Sequence, residues 1–214
     1  MHINDPAVRL LTKQERRDAY ETVFRASFPR AELRPLGAIE RLVRSGEYYF
    51  YGMEHDGALS AFFTFWKRGD YVLLDYLCVE PEKRSAGLGA KLFTAVLAAM
   101  PPEKVCFGEA EAPVTGNAAR DRLIRRRLAF YARLGARTVD YDTATFGVHY
   151  KTLAWSARAV DPAALAAEHR EFYRLSLPKA VYDAAVQIPL RAGEAVYPLR
   201  DWVRTPEDEE EEEQ

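Results

Sequence analysis

Between Tyr71 and Ala112 the chain alternates in a way that few folds accommodate. An apolar run, Tyr71–Val79, enters a polar loop, Glu80–Leu88, and then a helical stretch, Gly89–Met100, which Pro101-Pro102 stops. A second strand comes next, over Val105–Ala112. A strand–helix–strand crossover of this kind places its two strands parallel. The segments before it read differently. Tyr48–Met53 and Leu59–Trp66 are joined by His55-Asp56-Gly57, a hairpin signal, and Lys67-Arg68-Gly69-Asp70 leads back into Tyr71. Three strands in hairpin order form an antiparallel meander. The expectation is therefore an α/β fold whose central sheet is mixed and mostly antiparallel, with one splayed parallel pair and flanking helices.

The remaining elements fit around that sheet. Thr12 and Glu15 make a capping-box signature, and Tyr20, Val23, Phe24 and Phe28 recur at helical steps up to Pro29. A second helix is expected over Leu36–Arg44, ending at Ser45-Gly46. A further helix spans Arg120–Leu134 and ends at Gly135, a C′ glycine. Arg137–Tyr141 and Phe146–Trp155 close the sheet. Beyond Ser156, Pro162–Leu175 and Pro178–Val186 read as helices, and Pro189, Pro198 and Pro206 break the pattern after them. The domain expected is 1–156, with a helical C-terminal extension over 157–205 packed on it and an acidic tail over 206–214.

The net charge of −2 conceals an asymmetry, because Glu207–Glu213 are seven consecutive acids. Such a run cannot bury apolar surface and is expected to be a solvated, disordered end, with a cover for a basic face as the functional alternative. Hydrophobic residues make up 48% of the 214, enough for a sizeable core, yet no apolar run approaches the roughly 20 residues of a membrane span. Met1–Val8 show no signal-peptide pattern. The two cysteines, Cys78 and Cys106, each sit in an apolar stretch, which suits buried thiols in a reducing cytoplasm better than a disulfide framework.

Chemistry concentrates in the loop after Val79. Gly87 and Gly89 let the backbone turn with its amides facing inward, and a helix opening at Gly89 adds free N–H groups and the positive end of its dipole. Together they form a nest for a phosphate or pyrophosphate, with Lys83, Arg84 and Lys91 supplying positive charge. A P-loop would need Gly-Lys-Ser/Thr, and Ala90 follows Gly89. A dinucleotide fingerprint would place its first glycine directly after the strand and a third where Leu92 stands, although Glu109 or Glu111, about 20 residues on, supplies the acid that reading asks for.

Arg84-x-x-Gly87-x-Gly89 after a strand, preceded by Pro81-Glu82, resembles the acetyl-coenzyme A pyrophosphate loop of the GNAT (GCN5-related N-acetyltransferase) superfamily. Phe130-Tyr131-Ala132-Arg133-Leu134-Gly135 is similar to that family's Phe-Tyr-x-Arg/Lys-x-Gly helix end. The resemblance runs from about Tyr48 to Trp155, with strands and helices in the family's order. It implies the GNAT fold, acetyl-coenzyme A as co-substrate, and direct transfer of an acetyl group to a primary amine of a small molecule or protein. The donor would be held by Leu77, Cys78, Val79, Lys83, Arg84, Ser85, Ala86, Gly87, Leu88, Gly89 and Ala90. Main-chain groups of Leu77, Cys78 and Val79 would grip the pantetheine arm and polarise the thioester carbonyl. Tyr131 matches the family's general acid, although Ile124, Leu128 and Tyr131 also make an ordinary core stripe. Two positions depart from the pattern: Ile124 stands where an asparagine often contacts pantetheine, and Ala136 where an aromatic commonly follows the glycine.

Three carboxylates compete for the role of base. Glu111 ranks ahead of Asp75 and Glu109. Asp75 lies in an apolar strand on the face of Leu77 and Val79, where desolvation would raise its pKa, and Glu109 and Glu111 share a face of the next strand. The alternative for each is an ion pair with the arginines of the helix over 120–134. Those arginines, Arg120, Arg122, Arg125, Arg126 and Arg127, read as a solvated face without the interleaved aromatics of a single-strand binder. No nucleic-acid or membrane partner is expected. His2, His55, His149 and His169 show no metal-ligand spacing, so no metal site is expected either. A second function class stays open: a non-catalytic acyl-coenzyme A-binding sensing or interaction module. The extension could cover the acceptor pocket or build a homodimer interface.

Overall fold

The computed structural model describes residues 3–198. The acidic tail over 206–214, Trp202 and His2 lie outside the described residues. The chain divides into two compact units, Met1–Lys104 and Val105–Gln214.

The first unit is built on four antiparallel strands in spatial order β1 (Val8–Leu10), β2 (Tyr48–His55), β3 (Ala58–Arg68), β4 (Tyr71–Val79). The β2–β3 hairpin turns at Asp56-Gly57, both with positive φ (52° and 76°), which matches the right-handed twist of the flanking strands. Before the sheet comes one continuous helical run: α1 (Lys13–Ala19), a π-helical turn (Tyr20–Phe24) and α2 (Arg25–Ser27). Its start follows the capping box, with Thr12 Oγ1 accepting from Glu15 N–H and Glu15 Oε2 accepting from Thr12 N–H. Arg9 together with these bonds holds the Glu15 carboxyl down at about 2. The helical stripe lands on one sheet face, where the fully buried Phe24 ring lies 5.0 Å from Phe50, 6.1 Å from Phe62 and 5.7 Å from Tyr76. Burial of one such ring contributes about 2–3 kcal/mol.

α3 (Leu36–Arg44) begins after Pro35 and buries Ile39. Arg16 ties it to α1 through two 2.7 Å bonds to Glu40. α4 (Leu88–Ala98) covers the other face of β3 and β4, burying Leu88, Leu92, Phe93 and Val96, and Phe93 meets Phe63 edge-on at 5.4 Å.

The second unit orders its strands β5 (Val105–Glu111), β7 (Val148–Trp155), β6 (Arg137–Thr145), β8 (Val186–Leu190), all antiparallel. α5 (Ala118–Arg133) packs through Ile124 and Tyr131, the latter 5.8 Å from Trp155. It starts at an Asn117 cap that accepts from Ala119 and Arg120 N–H groups, two residues before the expected start. α6 (Pro162–Ser176) sits against Phe107 through Phe172 at 5.6 Å and His169 at 4.9 Å, and α7 (Lys179–Ala185) follows it.

Three differences from the sequence expectation have physical reasons. Phe146 is not a strand residue: with Gly147 it forms a positive-φ turn (49° and 82°) between β6 and β7, and β6 runs four residues further than expected. The extension is not helical alone, because β8 joins β6. Pro189 reads as a breaker, but an outermost strand tolerates a residue without an N–H. β1 is three residues long, too short for periodicity to register. The α/β architecture, with mostly antiparallel strands and flanking helices, is the one expected.

Candidate functional site

The loop between β4 and α4 is shaped by its last glycine. Gly87 caps α4 with φ +77°, and a Cβ there would meet nothing within 4 Å, so the position selects glycine by backbone conformation and not by crowding. At Gly89 a Cβ would come 3.3 Å from Val79 Cγ2, so that side chain would have to give by a few tenths of an ångström. Ser85 also adopts a positive φ, 74°. The chain thus turns twice within three residues and delivers α4 end-on. No side chain caps this helix. Its first intrahelical bond is Lys91 N–H to Gly87 O at 3.0 Å, so the N–H groups of Leu88, Gly89 and Ala90 have no acceptor within the helix.

The cations around the loop are each held. Arg84 donates to Val79 O (3.3 Å) and Ser27 Oγ (3.1 Å), and its side chain stays exposed. Lys83 donates to Ser60 Oγ at 2.7 Å and pairs with Glu80 at 3.2 Å. Lys91 pairs with Asp5 at 3.3 Å. Along β4, Glu80 N–H bonds Ser60 O, so strand alternation points the main-chain groups of Cys78 toward β3 and those of Leu77 and Val79 away from it. The Cys78 thiol is buried, and that burial pushes it far above the ordinary thiol range. Burial likewise pushes Cys106 up to about 12. Neither is disulfide-bonded, and neither is a thiolate nucleophile.

The three candidate bases have distinct surroundings. Asp75 is the extra residue of a β-bulge, because Thr64 faces Tyr76 while Phe65 faces Leu74. The bulge breaks the expected alternation. Instead of sharing a face with Leu77 and Val79, the Asp75 carboxylate meets the Tyr48 hydroxyl (2.7 Å) and Arg34 Nε (3.1 Å). Burial lifts the Tyr48 hydroxyl well above its usual range and keeps it a donor. Glu111 is 7% exposed and pairs with Arg120 at 2.6 Å, which is the ion-pair alternative to a catalytic role. Glu109 accepts from the Thr143 and Tyr173 hydroxyls and lies 3.6 Å from His169 Nε2. Burial alone would raise its pKa, but the nearby His169 and the hydroxyl bonds from Thr143 and Tyr173 together bring it below the ordinary glutamate value.

Tyr131 lies in the last turn of α5 with its ring edge-on to Phe130 (5.3 Å) and Trp155 (5.8 Å). Ile124, the departure from the asparagine pattern, is 2% exposed in the core. Sequence reasoning missed Arg34, His169 and Tyr173. No local spacing marks them, because their partners are 28 to 64 residues away. Among the described residues, no group of three or more His, Cys, Asp or Glu is placed to hold a metal ion, and no helix is long and apolar enough to cross a membrane.

Comparison with solved structures gives the same architecture. A GNAT-family protein from Bacteroides thetaiotaomicron matches with a TM-score of 0.61 at 19% identity, covering 82% of this chain and 97% of that one. The ribosomal-protein-S18-alanine N-acetyltransferase of Escherichia coli matches with 0.52 at 17% identity, over 72% and 95%. An aminoglycoside 6′-N-acetyltransferase solved with coenzyme A matches with 0.55 at 13%, over 72% and 98%. At these identities the likeness is one of fold. No curated protein matches the chain. The acetyltransferase (GNAT) family model matches residues 11–135, more than half of the sequence. With loop, helix end and strand order agreeing, the chain belongs to the GNAT acetyltransferase family, whose members transfer acetyl groups and use acetyl-coenzyme A as co-substrate.

Proposed function

We propose that the protein is an N-acetyltransferase that carries an acetyl group from acetyl-coenzyme A directly to a primary amine of a small molecule or protein. The observation that carries this reading is the uncapped N-terminus of α4, presented by Gly87, with three N–H groups free for a pyrophosphate. Arg84 and Lys91 add charge at that point. Leu77 and Val79, with main-chain groups turned away from β3, would hold the pantetheine arm, and an N–H there would polarise the thioester carbonyl. The neutral amine attacks the carbonyl carbon, the C–S bond breaks, Tyr131 gives its proton to the departing thiolate, and the proton shed by the new amide nitrogen returns to Tyr131 through solvent. Two buried, unbridged thiols support a reducing compartment such as the cytoplasm.

Calorimetric titration of acetyl-coenzyme A tests the donor site. The doubly reversed variant Arg84→Glu, Lys91→Glu changes exposed side chains and should fold, yet bind the cofactor at least tenfold more weakly. Equal affinity would place the donor elsewhere. Tyr131→Phe should lower kcat about 100-fold with little change in KM for acetyl-coenzyme A. An unchanged kcat would remove Tyr131 as the acid.

A second reading, a module that binds acyl-coenzyme A without turnover, is favoured by one observation. Asp75, Glu111 and Glu109 are each engaged by an internal partner, which leaves none of the three as a ready base. Thiol release across a panel of amines separates the readings, since a tight binder releasing nothing belongs to the second.

A further inference from the structure

Beneath α6, two fully buried side chains each carry a polar atom that meets no hydrogen-bond partner: Thr152 through Oγ1 and His169 through Nε2. Both belong to neighbours of one carboxylate, that of Glu109. Thr152 stands directly opposite Glu109 in the β5–β7 ladder, which sets their Cβ atoms about 5 Å apart on one face. His169 Nε2 lies 3.6 Å from Glu109 Oε1, too far for a good hydrogen bond and within the span of a bridging water. The other ring nitrogen, Nδ1, is already placed 3.2 Å from the Tyr141 hydroxyl. Glu109 in turn has lone pairs left after accepting from Thr143 and Tyr173, since a carboxylate offers about four acceptor positions.

Buried polar atoms are nearly always satisfied, and two orphans around one carboxylate share one simple solution. We propose that a single water molecule is sealed under α6, accepting from His169 Nε2–H and from the Thr152 hydroxyl and donating to Glu109 Oε1. Three bonds are the usual complement of a buried water. The arrangement holds in either charge state of the ring. A neutral imidazole with Nδ1 accepting from Tyr141 carries its proton on Nε2, and an imidazolium carries one there as well. The site joins three elements: β5 through Glu109, β7 through Thr152, and α6 through His169. It makes the helix of the C-terminal extension part of the polar interior of the second unit.

Thr152→Val in the full chain is the test, because it removes the hydroxyl at nearly constant volume. If the hydroxyl holds a water, valine strips one of that water's three partners, and Tm should fall by about 2–4 °C. If the hydroxyl is a true orphan, valine relieves it, and a Tm that holds or rises overturns the proposal. Water–protein magnetisation transfer gives a second readout. The wild type and Thr152→Ser should show a long-lived water near the His169 ring protons, weakened or lost in Thr152→Val. The same signal in all three, or in none, sinks the site.

Discussion

The two compact units keep a carboxylate inside by different means. In the first, Asp75 faces a guanidinium, Arg34, with the Tyr48 hydroxyl as second donor. In the second, Glu109 faces two hydroxyls and an imidazole, with no guanidinium among its hydrogen-bond partners. A guanidinium brings a full charge and a planar fork of donors, whereas hydroxyls bring donors without charge. The first unit has a fixed electrostatic clamp. The second has one built largely from neutral donors.

The largest effect should come from breaking the fixed clamp. Arg34→Met leaves Asp75 nearly buried without its cation and should cost about 3–5 kcal/mol in urea unfolding. A loss below about 1 kcal/mol would show Asp75 to be solvated and would dissolve the contrast. Glu109→Gln should cost less, about 2 kcal/mol at neutral pH, because the amide oxygen can still accept from one hydroxyl. The pH dependence sharpens the point. The folded-state value of Glu109 is depressed, so its contribution is fully present above the unfolded value near 4.5 and is lost as pH falls through the lower folded value. The gap between wild type and Glu109→Gln should therefore close on acidification below about pH 4.5, and a gap that widens would reverse the assigned direction. The smallest effect belongs to a bond that touches neither clamp. Thr12→Ala removes one half of the capping box and should cost about 1 kcal/mol.

Much of the fold is legible in the sequence wherever the signal is local. The capping box, α3 with both its boundaries, the Asp56-Gly57 turn and the extent of β4 all depend on residues within a few positions of each other. The cofactor loop is of the same kind, since Gly87 declares a left-handed backbone conformation that few other residues accept. The features that sequence does not reveal depend on distant partners. Asp75 reads as a candidate base only if strand alternation runs unbroken, and a bulge is invisible in a single sequence. His169 shows no local signal, because its partners come from β5 and β6. Glu111 ranks first by position, but Arg120, nine positions on, occupies it. An acid's surroundings are a tertiary property, and no reading of one strand supplies them.

Pro189, tolerated because its strand is an outermost one, also governs what the protein can stick to. An exposed β-edge offers alternating donors and acceptors, and any extended segment of matching length can zip onto it. β8 presents only five residues, one of which has no amide hydrogen to offer, and β1 at its own margin has three. Neither rim is a good template for an added strand. Among the described residues, neither of these outer strands favours strand-to-strand growth between copies of the chain.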